Sequence, residues 1–116
     1  MKKIRFIDLF SGIGGFRLGF DPKKFQCVWS SDFNQQCQNI YEENFGDRPF
    51  GDITKVDPTE IPDFDILTGG FPCQPFSISG KKLGFNDTRG TLFFDICRII
   101  SQKKPKIVIL ENVRHF

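Results

Sequence analysis

Pro72-Cys73-Gln74 lies in the run Leu67-Thr-Gly-Gly-Phe-Pro-Cys-Gln-Pro-Phe-Ser77, directly after a short apolar strand, Asp65-Ile-Leu67. A structural cysteine normally sits inside such an apolar run, where it packs as a small hydrophobe. Here prolines at 72 and 75 bracket the thiol, fix φ and exclude helix, so the sulfur is expected on a stiff, exposed turn. That setting suits a nucleophile. Downstream, Ile107-Val-Ile-Leu110 reads as another buried strand and ends in Glu111-Asn112-Val113. A third stretch has binding character. Ile4-Arg-Phe-Ile-Asp-Leu9 runs into Phe10-Ser11-Gly12-Ile13-Gly14-Gly15, a glycine turn entering a helix that lacks the third glycine of the dinucleotide fingerprint. At the end of the next strand, Val28-Trp-Ser-Ser31, Asp32 can accept hydrogen bonds from both hydroxyls of a ribose. Phe33 beside it either stacks on an adenine or packs under the following helix.

These residues need elements to hold them. The pattern predicts a strand over 3–9, a short helix near 15–20, a strand over 26–31, a helix over 34–45, a strand near 50–53 and a strand over 64–68. A long loop over 69–89, a helix over 90–103 and a strand over 106–111 complete the order. Asn34 is a cap for the helix over 34–45, with Cys37, Ile40, Tyr41 and Phe45 at helical spacing before Gly46. In the helix over 90–103, Leu92, Phe93, Ile96, Ile99 and Ile100 share a face and Pro105 stops it. Strands alternating with helices imply a parallel α/β sheet covered by helices on both faces, strand 3–9 being central between strands 26–31 and 64–68. Ligands bind such sheets outside the carboxyl ends of the strands, where each stretch named above falls.

Phe-Ser-Gly-Ile-Gly-Gly, Pro-Cys-Gln and Glu-Asn-Val, each directly after a strand, resemble the motifs of the cytosine-C5 DNA methyltransferases. Gly51-Asp52-Ile53 and Gly84-Phe-Asn-Asp-Thr-Arg-Gly-Thr-Leu-Phe-Phe94 extend the resemblance over essentially the whole chain, in family order. It implies a Rossmann-like methyltransferase fold, S-adenosylmethionine as cofactor and double-stranded DNA as substrate, often within a restriction–modification system. Cys73 becomes the covalent nucleophile, Glu111 the acid at the cytosine ring and Asn112 the residue that steadies both. Phe10, Ser11, Gly12, Ile13, Gly14, Gly15, Asp32, Phe33, Asp52, Ile53, Gly70, Pro72 and Leu92 become cofactor contacts. Where the family often has Glu-Trp, this chain has Asp32-Phe33. Gln74, Ser77, Ser79, Lys81 and Arg89 fall to DNA, because a base that is methylated must leave its stack and a long loop is suited to close over it.

The family continues past Glu-Asn-Val with a further arginine motif, a target-recognition region and a closing segment. Residues 1–116 therefore read as the N-terminal catalytic and cofactor-binding part. The expected partner is a complementary C-terminal polypeptide, or a second copy joined along a bare sheet edge. The same motifs fit a tRNA cytosine-C5 methyltransferase or an inactive cofactor- or DNA-binding remnant. Composition narrows the setting. A net charge of +2 is too small to argue for nucleic acid by itself, and 15 Phe are expected mainly in the core. Four cysteines form no C-x-x-C pair and one histidine is too few for a Cys/His metal site. Reduced thiols, no secretory signal and no apolar run of about 20 residues favour a cytoplasmic, nucleoid-associated protein with no membrane contact.

Overall fold

The computed structural model describes residues 2–72 and 88–113. Within them the chain runs β1 (Ile4–Leu9), α1 (Gly15–Leu18), β2 (Phe25–Ser31), α2 (Gln35–Phe45), β3 (Ile66–Pro72), α3 (Thr88–Lys103) and β4 (Ile107–Val113). All four strands are parallel, in the order β2-β1-β3-β4. β1 is central, as the alternation of strands and helices predicts. Side chains alternate across each strand, so β1 serves both faces of the sheet. Ile7 and Leu9 join Leu67, Ile96 and Ile99 in the apolar core under α3. Phe6 and Asp8 point the other way, where Phe6 stacks on Phe20 at 4.4 Å and Asp8 meets Tyr41 of α2.

Several expectations need correction. No strand forms near 50–53: Phe50 makes a lone parallel bridge to Ser31, and the chain then enters two 3-10 turns over Ile53–Lys55 and Pro58–Glu60. Asp52 and Asp57 each cap the turn that follows them, accepting from the amide and hydroxyl of the residue two positions on, Thr54 and Thr59. Such side-chain bonds give the backbone an alternative to a sheet ladder. The segment expected to become loop at residue 69 instead remains strand to Pro72, because β4 runs beside it as far as Val113.

α2 is capped by Asn34, whose side chain accepts from the Cys37 amide at 3.0 Å, and closed by Gly46 at φ 85°. Its buried face carries Gln38 and Tyr41, while Ile40 is turned outward. The reason is polar: Gln38 Nε2 donates to the Asp32 carbonyl at 2.6 Å, so this position packs by hydrogen bonding. α3 follows its apolar pattern, with Ile96 and Ile99 fully buried and Phe93 and Ile100 packed beside them. Phenylalanine is less uniformly internal than composition suggests, since Phe33, Phe50 and Phe94 are all exposed.

Candidate active site

Four strand ends build one rim. Leu9 is the last residue of β1 to pair with β3, and the chain turns away at Phe10, which takes φ 52°, a left-handed conformation few residues other than glycine adopt. The Ser11 amide donates to the Ser31 carbonyl at 2.9 Å, so the turn leans toward β2. Gly14 sits at φ 100°, and a Cβ there would overlap the Phe45 ring. Only glycine lets the turn approach α2 this closely.

Asp32 organises this rim. Its Oδ2 accepts from the Gly12 amide at 2.7 Å and its Oδ1 from the Asn34 amide at 2.8 Å. One carboxylate thus joins the turn after β1 to the start of α2. A carboxylate oxygen has two lone pairs, so each retains capacity for a further donor such as a ribose hydroxyl. Phe33 is 80% exposed, which removes packing under α2 as its role and leaves its ring free to stack on a ligand. Ser11 is buried, yet its Oγ has no hydrogen-bond partner. Buried hydroxyls are rarely left so, and an unmet donor in a glycine turn fits a cofactor that supplies the missing partner.

Asp52 follows the Phe50 bridge at the same end of the sheet, and the Asp32 amide donates to the Phe50 carbonyl at 3.0 Å. The Thr54 hydroxyl and amide hold the Asp52 carboxyl below the usual carboxylate range. Ile53 packs into the core with its side chain, so only its backbone can face a ligand. On β3, Gly70 pairs in register with Glu111 of β4, and a Cβ on Gly70 would stand 3.8 Å from the Phe16 ring of α1. Glu111 is exposed at this rim. Asn112 and Val113 continue beside Phe71 and Pro72.

Pro72 ends β3, while Arg89 and Leu92 lie in the first turns of α3. Cys73, Gln74, Ser77, Ser79 and Lys81, each given a role on sequence grounds, lie outside the described residues. Cys27, Cys37 and Cys97 are free thiols. Among the described residues no group of three or more His, Cys, Asp or Glu is placed to hold a metal, and no helix is long and apolar enough to cross a membrane.

Residues that motif reading passed over support the rim from below. Gln38 holds the Asp32 carbonyl, and Arg48 Nη2 in turn donates to Gln38 Oε1 at 3.1 Å. Arg17 stands 4.5 Å over the Phe45 ring, pairs with Asp47 at 2.8 Å and donates to the Tyr41 hydroxyl at 3.3 Å. Helical spacing of Gln38 and Tyr41 was available as a signal, but a buried glutamine breaks the apolar pattern that finds helix faces.

Known proteins share this sequence and fold. The chain is 58% identical over 113 residues to the type II methyltransferase M.HhaI of Haemophilus parahaemolyticus, covering 97% of this chain and 35% of that protein. It is 60% identical over 114 residues to M1.ScrFI of Lactococcus lactis subsp. cremoris, covering 97% of this chain and 29% of that one. The chain thus spans about a third of the length of the curated relatives it matches. Among solved structures, S. pombe Dnmt2 methyltransferase superposes with a TM-score of 0.76 at 25% identity, over 97% of this chain and 35% of that chain. The model of C-5 cytosine-specific DNA methylases matches residues 4–116. With a glycine turn, the Asp32 carboxylate and a strand-end glutamate on one rim of a parallel sheet, and that match along nearly all its length, the chain belongs to the C-5 cytosine-specific DNA methylase family.

Proposed function

We infer that this chain is the N-terminal catalytic and cofactor-binding part of an enzyme that transfers a methyl group from S-adenosylmethionine to carbon 5 of cytosine in double-stranded DNA. The type II designation of its relatives supports a role as the modification partner in a restriction–modification system. The observation that carries the reading is the gathering of the Phe10–Gly15 turn, Asp32, Phe33, Asp52, Gly70 and Glu111 at the carboxyl end of one parallel sheet. Ligands of open α/β sheets bind there.

Bound in this crevice, S-adenosylmethionine supplies an electrophilic methyl group on a sulfonium. Asp32 holds the ribose hydroxyls with its remaining lone pairs, and Phe33 stacks on the adenine. Asp52 and the Ile53 backbone meet the adenine edge. Gly12, Ile13, Gly14, Gly15, Gly70, Pro72 and Leu92 wall the site, and the Ser11 hydroxyl gains its missing partner.

Cys73 as thiolate bonds to carbon 6 of a cytosine rotated out of the duplex, which breaks aromaticity and moves electron density to carbon 5. Carbon 5 then takes the methyl group as the sulfonium S–CH3 bond breaks and its electron pair returns to sulfur, leaving the neutral thioether S-adenosylhomocysteine. Loss of the carbon-5 proton and elimination of the thiolate restore the ring and the free enzyme. Glu111 shares a proton with ring N3 and the exocyclic amine, a contribution of about 10²–10⁴-fold. Asn112 steadies Glu111 and the cysteine turn, while Gln74, Ser77, Ser79, Lys81 and Arg89 contact DNA. The working protein is cytoplasmic, at the nucleoid. It gains a complementary C-terminal polypeptide, or a second copy, along β4, whose Ile107 to Leu110 are each at least 38% exposed.

The test pairs this chain with the complementary polypeptide and follows tritiated methyl incorporation into DNA. Cys73→Ser should abolish transfer while cofactor binding persists, and DNA carrying 5-fluorocytosine should trap an adduct on Cys73. The 116-residue chain alone should transfer no methyl group. An adduct on Cys27, Cys37 or Cys97, or turnover on tRNA in place of DNA, overturns the reading.

A further inference from the structure

Asp8 is fully buried on β1, and among the described residues no cation forms an ion pair with it. Its Oδ2 accepts from the Tyr41 hydroxyl of α2 at 3.4 Å, and its Oδ1 lies 3.3 Å from the hydroxyl of Thr68, its register partner on β3. Thr68 Oγ1 is nearer to the Ile7 carbonyl, at 3.0 Å. A hydroxyl has one proton to give. With that proton on the Ile7 carbonyl, the remaining contact is satisfied when Asp8 carries a proton of its own and donates it to Thr68. Tyr41 then donates to the other carboxyl oxygen while accepting from Arg17 Nη1 at 3.3 Å, and every member of the chain has a partner. An ionised Asp8 would instead compete with the Ile7 carbonyl for a single proton, in a site closed to water.

The location gives this network its meaning. Asp8 pairs with Thr68 and Leu9 with Gly69, after which the two chains separate. One turns at Phe10 into the glycine loop, and the other continues through Gly70 beside β4. The geometry points to Asp8 as a positioning residue for the cofactor crevice: in its protonated form it clamps β1 to β3 and α2 just below the point where the crevice walls diverge. This rests on the cofactor reading above.

The groups around Asp8 make it the one that switches. Burial is the largest influence and pushes its carboxyl up to about 7; the hydrogen bonds that Thr68 and Tyr41 can give the ionised form and the Arg17 charge pull it down, and Asp32 at the end of β2 pushes it further up. Cys27 of β2 lies 3.7 Å from the Tyr41 hydroxyl, and burial raises both groups, so both stay neutral across the neutral range. Arg17 of α1 remains a cation beside Asp47.

The experiment follows the 116-residue chain by NMR from pH 5.5 to 8.5, with S-adenosylhomocysteine affinity measured calorimetrically in parallel. The Asp8 carboxyl carbon and the amides of Gly12, Gly14 and Gly70 should titrate with one midpoint. Over the same interval the Kd for the probe should rise about tenfold between pH 6 and pH 8. Asp8→Asn keeps a donor and an acceptor at every pH, so its crevice amides and Kd should stay at the low-pH wild-type values throughout. Tyr41→Phe removes a donor that favours the ionised carboxyl, so its common midpoint should move to higher pH, which provides a second variant if Asp8→Asn does not fold. Crevice amides that stay still while Asp8 titrates, or an Asp8→Asn profile as steep as wild type, overturn the clamp. Crevice amides that follow Asp8 in a chain that binds no probe at any pH support the clamp and overturn the cofactor reading.

Discussion

The two faces of the central strands are built from different materials. Toward α3, Ile7, Leu9 and Leu67 meet Ile96 and Ile99, and helix cations hold backbone carbonyls at the margin of that face. Arg98 donates to the Val56 carbonyl at 2.7 Å, to the Ile53 carbonyl at 3.1 Å and to Asp95 at 3.0 Å, and Lys103 donates to the Ile61 carbonyl at 2.8 Å. Toward α1 and α2, the same strands present Asp8 and Thr68, joined to Tyr41, Arg17 and Cys27. Apolar contact is non-directional and adds up with area, whereas hydrogen bonds fix direction but contribute little net. The first face holds the sheet together; the second fixes where its upper ends stand.

That contrast can be broken most sharply at Leu67, which is fully buried. Leu67→Ala should cost about 3–4 kcal/mol in urea unfolding, since the cavity lies among rigid strands and α3. A loss below about 1 kcal/mol would mean the apolar face is not where stability resides. The polar face should betray itself through pH. Asp8 binds a proton in the folded state that the unfolded chain, with its ordinary value of 3.8, has already released. The unfolded state therefore binds fewer protons between about pH 4 and pH 7, and stability should fall across that window by something on the order of 4 kcal/mol and level off above it. Asp8→Asn should flatten that slope, and an unchanged slope would assign it to another group.

Smaller effects sharpen the margins. Arg98→Met keeps the aliphatic stem but leaves two carbonyls and Asp95 without this donor, so it should cost about 2 kcal/mol with little change in cofactor affinity. Phe33→Ala should change stability by less than about 0.5 kcal/mol, because the ring is exposed. It should nevertheless weaken S-adenosylhomocysteine binding by about fivefold through lost stacking. An equal loss of stability and affinity there would place Phe33 in the fold and not in the site.

Much of this was legible in the residues. Apolar runs at 4–9, 66–67 and 107–110 had to be strands, Asn34 and Gly46 bounded α2, and the alternation of strand and helix required parallel pairing. The illegible parts share a cause. Asp52, two residues before Thr54, capped its own turn where a strand near 50–53 was expected, and Asp57 did the same before Thr59. Gln38 was buried because a carbonyl waited for it, which no periodicity encodes. Asp8 looked like one polar letter in a buried strand, and its environment is assembled from residues 33 and 60 positions away. The ends of β3 were set by its neighbour β4 and not by its own composition.

The outer strand has a consequence of a different kind. Ile107, Val108, Ile109 and Leu110 stand in sequence on β4, each more than a third exposed, along the last strand in the sheet order. Until something covers it, each encounter with another copy is a chance for the wrong backbone to join. Encounters between copies rise with the square of concentration, whereas closure within one chain does not depend on concentration at all. For residues 1–116 produced on their own, yield should therefore be governed by how fast they are made: slow synthesis should favour soluble chain, and rapid overproduction should drive the same sequence into aggregates at the same temperature.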